Sequence, residues 1–134
     1  MDREILFRGK RESDGKWLYG LYSDHFVHGT DFPCIMPLRM EKDDGDWAVL
    51  RETVGQYTGL TDKNGTKIFE GDIVKDEQSG YEYVIKWFSE YACFALANKN
   101  GHMEYDVDEF EMLVNDLIVI GNIHDNPELL EVSE

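Results

Sequence analysis

The stretch from Tyr57 to Lys75 reads YTGLTDKNGTKIFEGDIVK, and its glycines decide where the backbone bends. Asn64-Gly65 is a strong signal for a two-residue turn, because type I′ turns need positive φ angles that Asn and Gly tolerate. A second break, Gly71-Asp72, comes directly before an apolar pair. The pattern predicts architecture, not chemistry. The residues predicted to act in turns are Gly59, Asn64, Gly65, Gly71 and Asp72.

Outward from this stretch, turn signals separate short runs of alternating apolar residues, which is typical of strands. An Asp14-Gly15 turn predicts an N-terminal hairpin between residues 4–10 and 17–22. After Gly71 a meander is predicted at about ten-residue spacing, typical of a small antiparallel barrel or sandwich. Its strands are expected at 72–76, 82–88, 92–97, 102–107 and 117–123.

Three segments are less regular. Residues 24–52 predict a long loop, with short strands near 34–36 and 47–50. Residues 107–114 fit a helical turn or a strand equally well. Asn126-Pro127-Glu128 has the cap, first-turn proline and acidic residue that favour a short terminal helix.

The predicted fold class is mainly β, either all-β or β-rich α+β. Residues 1–65 form an N-terminal hairpin and loop lobe. Residues 66–134 form an SH3-like antiparallel barrel, closed by about residue 123, with a short C-terminal helix. At 134 residues the whole chain is expected to be one compact unit.

The charge is strongly acidic and uneven. There are 28 acidic and 13 basic side chains, a net charge of −15, and residues 100–134 hold ten carboxylates without one Lys or Arg. We do not expect the protein to bind nucleic acid through phosphate contacts, because such contacts need Lys and Arg side chains. The charged N-terminal residues do not fit a signal peptide, and no apolar run approaches a membrane span, so we expect a cytoplasmic protein without a membrane partner.

The densest acidic cluster is a candidate partner-binding surface. If the chain there is extended, carboxylates two residues apart lie about 6–7 Å from each other and imitate a phosphate backbone. The alternative is a solvated face that serves solubility. The cluster consists of Asp106, Asp108, Glu109 and Glu111.

Metal binding has one candidate, the segment DHFVHGTD at residues 24–31. Its histidines, His25 and His28, point to opposite faces if the segment is a strand, so joint ligation needs a turn or helix. Cys34 and Cys93 are too few for a disulfide framework. We therefore predict no metal, no cofactor and no catalytic residues, and an enzyme is the less favoured class.

Several motifs together resemble the YopX family, small proteins encoded by phages and prophages of bacteria. The resemblance covers nearly the whole chain in order and is weakest over residues 23–50 and 76–116, where it is only a rhythm of strands. It implies a mainly β fold with a small barrel portion, and no catalytic residues. The residues that carry it are Arg8–Lys10, Asp14–Trp17, Thr53–Gly65, Ile68–Val74 and Ile120–Leu129.

The expected function is that of a phage or prophage accessory protein, non-catalytic, which binds a protein partner or associates with itself as a homo-oligomer. One alternative is a small enzyme or a metal-dependent activity in the 24–52 loop. Another is an acidic DNA mimic that inhibits a host nucleic-acid-binding protein.

Overall fold

The structure, a computed structural model, describes residues 4–23, 33–37 and 47–130, and over these ranges the fold is mainly β, as predicted. One α-helix, α1, runs from Val107 to Leu113. The chain divides into two compact units, Met1–Tyr57 and Thr58–Glu134. The strands are β1 Phe7–Lys10, β2 Trp17–Ser23, β3 Cys34–Pro37, β4 Gly55–Thr61, β5 Lys67–Phe69, β6 Asp72–Asp76, β7 Glu82–Phe88, β8 Cys93–Ala97, β9 Met103–Tyr105 and β10 Leu117–Asn122.

The first unit is an antiparallel sheet in the order β3-β2-β1-β4, where β4 contributes Gly55 and Gln56. The predicted hairpin of β1 and β2 is present. Its inward face buries Leu18, Ile35 and Val49 in one cluster. Gly9 lies against that cluster, and a Cβ there would come within 3.2 Å of the Val49 Cβ atom, so a side chain at this position of β1 would require Val49 to shift.

The second unit contains an antiparallel sheet in the order β10-β6-β7-β8-β9. Strands β6 and β7 have the predicted bounds. The buried cluster on this sheet consists of Ile68, Val74, Tyr83, Ile85, Leu96, Phe110 and Leu117. Five of them come from the strands of this sheet, and alternation places Tyr83 and Ile85 on the same face of β7, whereas Ile68 comes from β5 and Phe110 from α1.

The predicted barrel does not close, because β10 and β9 stand at opposite ends of the sheet order. Helix α1 explains the difference. Its Phe110 side chain is 1% exposed and lies in the buried cluster, so a helix covers the apolar face that further strand pairing was expected to cover. An α-helix on one face is the other standard way to bury a sheet.

The less regular segments have these outcomes. Residues 107–116, where helix and strand were both open, form α1 followed by a 3₁₀ turn at Val114–Asp116. The predicted terminal helix is a 3₁₀ turn, Pro127–Leu130, because Asn126 Oδ1 accepts a hydrogen bond from the Asn122 backbone instead of capping forward. In the 24–52 segment the strand predicted near 34–36 is β3, and residues 24–32 and 38–46 lie outside the described residues.

Candidate binding groove

The two aspartates of the Tyr57–Lys75 stretch accept hydrogen bonds from the backbone. Asp62 is 7% exposed; its Oδ1 atom accepts hydrogen bonds from the N–H groups of Asn64 and Thr66 at 2.8 and 2.9 Å. Its Oδ2 atom accepts from the Val119 N–H at 2.9 Å. Asp72, 2% exposed, accepts from the Phe69 N–H at 2.7 Å. Both aspartates therefore shape loops and present little surface to a ligand.

The Asn64-Gly65 turn also covers the end strand of the second sheet. The Lys63 N–H donates to the Leu117 carbonyl of β10 at 2.9 Å, next to the bond from Val119 to Asp62. Gly65 has a φ of +82°, as predicted, but Asn64 does not have a positive φ, so the turn is not of type I′. The Gly65 N–H donates to the Asp62 carbonyl at 3.0 Å, and Gly65 follows that turn in the left-handed region. Backbone groups at a sheet edge that are occupied in this way cannot recruit another strand.

The acidic cluster does not form an extended row, because its backbone is helical. Asp106 is the N-cap of α1 and accepts a hydrogen bond from the Glu109 N–H at 3.0 Å, while the Glu109 side chain returns to the Asp106 N–H at 3.4 Å. Two of the four carboxylates thus complete a capping box that stabilises the helix start. All four, including Asp108 and Glu111, are solvent-exposed. Partner binding by this cluster stays a prediction.

A groove of about 550 Å³ lies in the second unit, where β7, β8 and β9 end together. Cross-strand register brings the three strands to this point, because β8 pairs with β7 on one side and with β9 on the other. Three tyrosines line the groove. Tyr81 is 68% exposed, whereas Tyr83 is only 7% exposed and meets the Tyr105 ring edge to face, with ring centroids 5.6 Å apart.

The polar side chains of the groove hold one another in place. Lys99 Nζ lies 3.3 Å from Glu82 Oε1, with side-chain exposures of 31% and 24%. Asn98 Nδ2 donates to Glu104 Oε1 at 2.8 Å. Two carboxylates against one ammonium leave the lining with a negative charge.

Burial, a hydrogen bond with Tyr105 and neighbouring carboxylates raise the pKa of Tyr83 to about 12. The carboxylates that contribute belong to Asp76 and Glu104. The Tyr83 phenol therefore stays neutral at physiological pH. A neutral ring keeps the negative π face that attracts cations.

Comparison with known proteins identifies the family. A family model described as YopX protein matches residues 6–131, nearly the whole chain. The chain belongs to the YopX family. No curated protein matches it.

The YopX fold is also seen in a solved structure, titled "Crystal structure of protein EF1440 from Enterococcus faecalis". The two chains are 22% identical, with a TM-score of 0.60, over 97% of this chain and 100% of that chain. At this identity the likeness concerns the fold alone.

The YopX resemblance and the groove fall on different residues. The resemblance is carried by turns and apolar pairs, whereas the groove lies within 80–105, where only the strand rhythm was recognised. The groove was missed because its residues are far apart in sequence. A local signal was present: tyrosine follows glutamate in both Glu82-Tyr83 and Glu104-Tyr105.

The remaining predictions concern metal ligands and membrane spans. No group of three or more His, Cys, Asp or Glu residues there is placed to hold a metal ion. His25 and His28, the candidate ligands, lie outside the described residues, as do Asp24 and Asp31. Among the helices of residues 4–23, 33–37 and 47–130, none has the length and apolar character to cross a membrane.

Proposed function

We propose that this YopX-family protein is a non-catalytic accessory protein that binds a protein partner through the groove of Tyr81, Tyr83, Tyr105 and Glu104. The observation that carries the proposal is this cluster of tyrosines beside oriented carboxylates. Tyrosine is enriched at protein interfaces, because its ring gives a large apolar contact and its hydroxyl group a hydrogen bond. The phage or prophage setting, in a bacterial host cytoplasm, rests on the family resemblance.

The size and charge of the groove support a peptide-like segment as the occupant. Its volume of about 550 Å³ falls within the roughly 300–1,000 Å³ of typical ligand pockets. Its rim continues from Tyr105 into the acidic cluster that opens α1, so carboxylates extend beyond the groove itself. A basic segment complements this surface and is steered toward it by the charge.

The test is capture from bacterial host cells that carry the protein, with a groove variant and a matched control. The groove variant combines Tyr81→Ala with Glu104→Gln. The control is Tyr91→Ala, because Tyr91 is 67% exposed, like Tyr81, but does not line the groove. The proposal expects a protein retained by the wild type and the control, lost by the groove variant, and bound directly in calorimetry after purification. Equal retention by all three forms contradicts it.

Self-association is a specific form of this proposal, in which the partner is a second copy. Light scattering over a concentration range then shows an oligomer of more than one subunit for the wild type and a dissociated protein for the groove variant. A wild type that stays monomeric at about 50 μM, well above a micromolar dissociation constant, rules this form out.

A DNA mimic that occupies a host nucleic-acid-binding protein is the second candidate. The helical backbone removes the extended row from which the mimic was predicted, and the exposure of all four carboxylates of the acidic cluster is the observation that favours it. The affinity for such a partner is expected to fall well over tenfold at low salt when the four carboxylates are replaced by Asn or Gln, at Asp106, Asp108, Glu109 and Glu111. Unchanged affinity excludes the mimic.

A further inference from the structure

We infer that the groove recognises an arginine side chain of its partner, and that Lys99 holds the place of this arginine in the free protein. The inference rests on the proposed function and deepens it. It commits to one occupant, an extended peptide segment with an arginine whose guanidinium group lies between the groove tyrosines and the carboxylates.

The first argument is the nature of the lysine contact. Lys99 and Glu82 are partly shielded from solvent in the groove, with Nζ and Oε1 separated by 3.3 Å. Lys99 belongs to the turn after β8, whose backbone is fixed because Asn98 Oδ1 accepts hydrogen bonds from the N–H groups of Asn100 and His102. The backbone is therefore held, while the four-carbon stem of the lysine keeps the freedom to move its ammonium group away.

The second argument is a carboxylate that is already oriented. Glu104 uses Oε1 to accept the hydrogen bond from Asn98 Nδ2. Within the described ranges its Oε2 atom makes no hydrogen bond. A guanidinium group matches two carboxylate oxygens with two parallel N–H donors, whereas an ammonium group is a single point charge. Arginine is therefore the better occupant beside Glu104.

The third argument is the aromatic surface. Tyr81 is largely exposed at the mouth and Tyr105 is half-buried behind it, so their rings are accessible from the groove. Guanidinium groups stack on such rings and are less strongly hydrated than ammonium groups. Cation–π contact with tyrosine stabilises a bound cation more when the site excludes water.

The same unit offers a matched control in the ion pair of Lys63 and Glu77. Its Nζ–Oε1 distance is 2.7 Å, with exposures of 53% and 42%, and neither residue lines the groove. Lys63→Ala and Lys99→Ala each remove one positive charge from the protein. The net charge of the protein therefore changes by the same amount in both variants, and so does the non-specific attraction of a basic peptide that depends on net charge.

The experiment is an NMR titration of the full-length protein at low salt. The probe is the peptide Gly-Ser-Gly-Arg-Gly-Ser-Gly, blocked at both ends; in a second peptide the neutral isostere citrulline replaces the arginine. We expect the arginine peptide to shift the amide signals of Tyr81, Glu82 and Glu104, and the citrulline peptide to leave them unchanged. Removal of the competing lysine by Lys99→Ala should tighten arginine binding about 1.5-fold to fivefold relative to Lys63→Ala, the worth of one ion pair.

Glu104→Gln provides a second variant, at an exposed position where unfolding is not expected. It should weaken arginine binding at least about fivefold, because it removes the charge of the oriented partner. Equal affinities for Lys99→Ala and Lys63→Ala, or signals that move elsewhere on the protein, overturn the inference. A protein partner that still needs the groove, together with an arginine peptide that does not bind, refutes this inference and leaves the proposed function standing.

Discussion

Replacing the buried Asp62 by Ala is expected to destabilise the second unit strongly. The side chain accepts three backbone hydrogen bonds, two within the Asn64-Gly65 turn and one from Val119 of β10. Alanine leaves all three N–H donors without this acceptor. Water can reach the two donors in the turn, but the Val119 N–H lies against the turn at the end strand of the sheet.

The expected loss of stability has two contributions, one from the hydrogen bond of Val119 and one from the two hydrogen bonds within the turn. A hydrogen bond to a charged acceptor contributes about 1.5–3 kcal/mol, and the loss of a capping side chain costs about 1 kcal/mol. Asp62→Ala should therefore lower the free energy of unfolding by about 3 kcal/mol. With an m-value of about 1.5 kcal/mol/M, the urea midpoint should fall by about 2 M. Asp62→Asn keeps one acceptor but places an amide donor near a backbone donor, so its effect should lie between the wild type and Ala.

The matched control is Asp76→Ala. Asp76 also accepts two backbone hydrogen bonds in a turn, from Gln78 at 2.8 Å and from Ser79 at 3.3 Å, but this turn is exposed. The expected loss is about 1 kcal/mol. Urea unfolding followed by circular dichroism compares the three variants with the wild type. If Asp62→Ala and Asp76→Ala shift the midpoint equally, the bond to β10 does not contribute as argued.

Three further predictions concern stability. Gly65→Val should cost on the order of 1–3 kcal/mol in urea unfolding, because a β-branched residue is strained at a φ of +82°; a neutral result contradicts this. A Cβ on residue 121 would lie 2.5 Å from Asn126 Oδ1, so Gly121→Ala should destabilise, and the double variant with Asn126→Ala should recover part of the loss; strict additivity refutes the contact. The pKa of Tyr83, raised to about 12 from 10.0, makes the protonated phenol the form that favours folding. This stability is fully present below pH 10 and should be lost as the pH rises toward 12, and Tyr83→Phe should flatten the loss in alkaline unfolding curves.

The sequence predicted the strands whose alternation is bounded by turns. The residues of β6 and β7 follow a break at Gly71-Asp72 and are separated by a Gly80 turn, so their bounds follow from the turn signals. Alternation also gives the inward face of β7, with Tyr83 and Ile85, but not that of β6, whose first three residues are all buried. By contrast, β4 and β5 were missed although the turn between them was found. The β4 sequence GQYTGLT contains two glycines, and β5 has only three residues, so neither gives a clear alternation.

The prediction that the second sheet closes depended on the structure of residues 107–113, and the hydrophobic periodicity of this segment does not distinguish a helix from a strand. Residues 107–113 read VDEFEML, which places only a few apolar residues between charges. The helix is determined by its cap, in which Asp106 and Glu109 exchange hydrogen bonds, and by burial of Phe110. An Asp followed three residues later by Glu is a capping signal, and it favours helix over strand here.

Prediction of the groove requires the strand pairing, which the sequence does not determine. Tyr83 and Tyr105 meet because β8 lies between β7 and β9, and because an irregularity between Leu96 and Ala97 shifts the register of β9. Strand order fixes which residues are neighbours, and a shift of one residue moves a side chain to the opposite face. The sequence therefore indicated an acidic chain but did not place the tyrosines and glutamates of the groove together.

The residues that identify the family differ from those that, under the proposed function, select a partner. The quoted stretch gives the resemblance, and its aspartates are engaged with backbone N–H groups that hold the turn against β10 and the loop before β6. A side chain committed in this way cannot change its partner without cost to the fold. Tyr83 belongs to the buried cluster and so to the frame, whereas Tyr81, Lys99 and Glu104 line the groove without belonging to that cluster. Under the proposed function, two proteins of this family that share the turns around Gly65 and Gly71 would differ in partner through positions 81, 99 and 104.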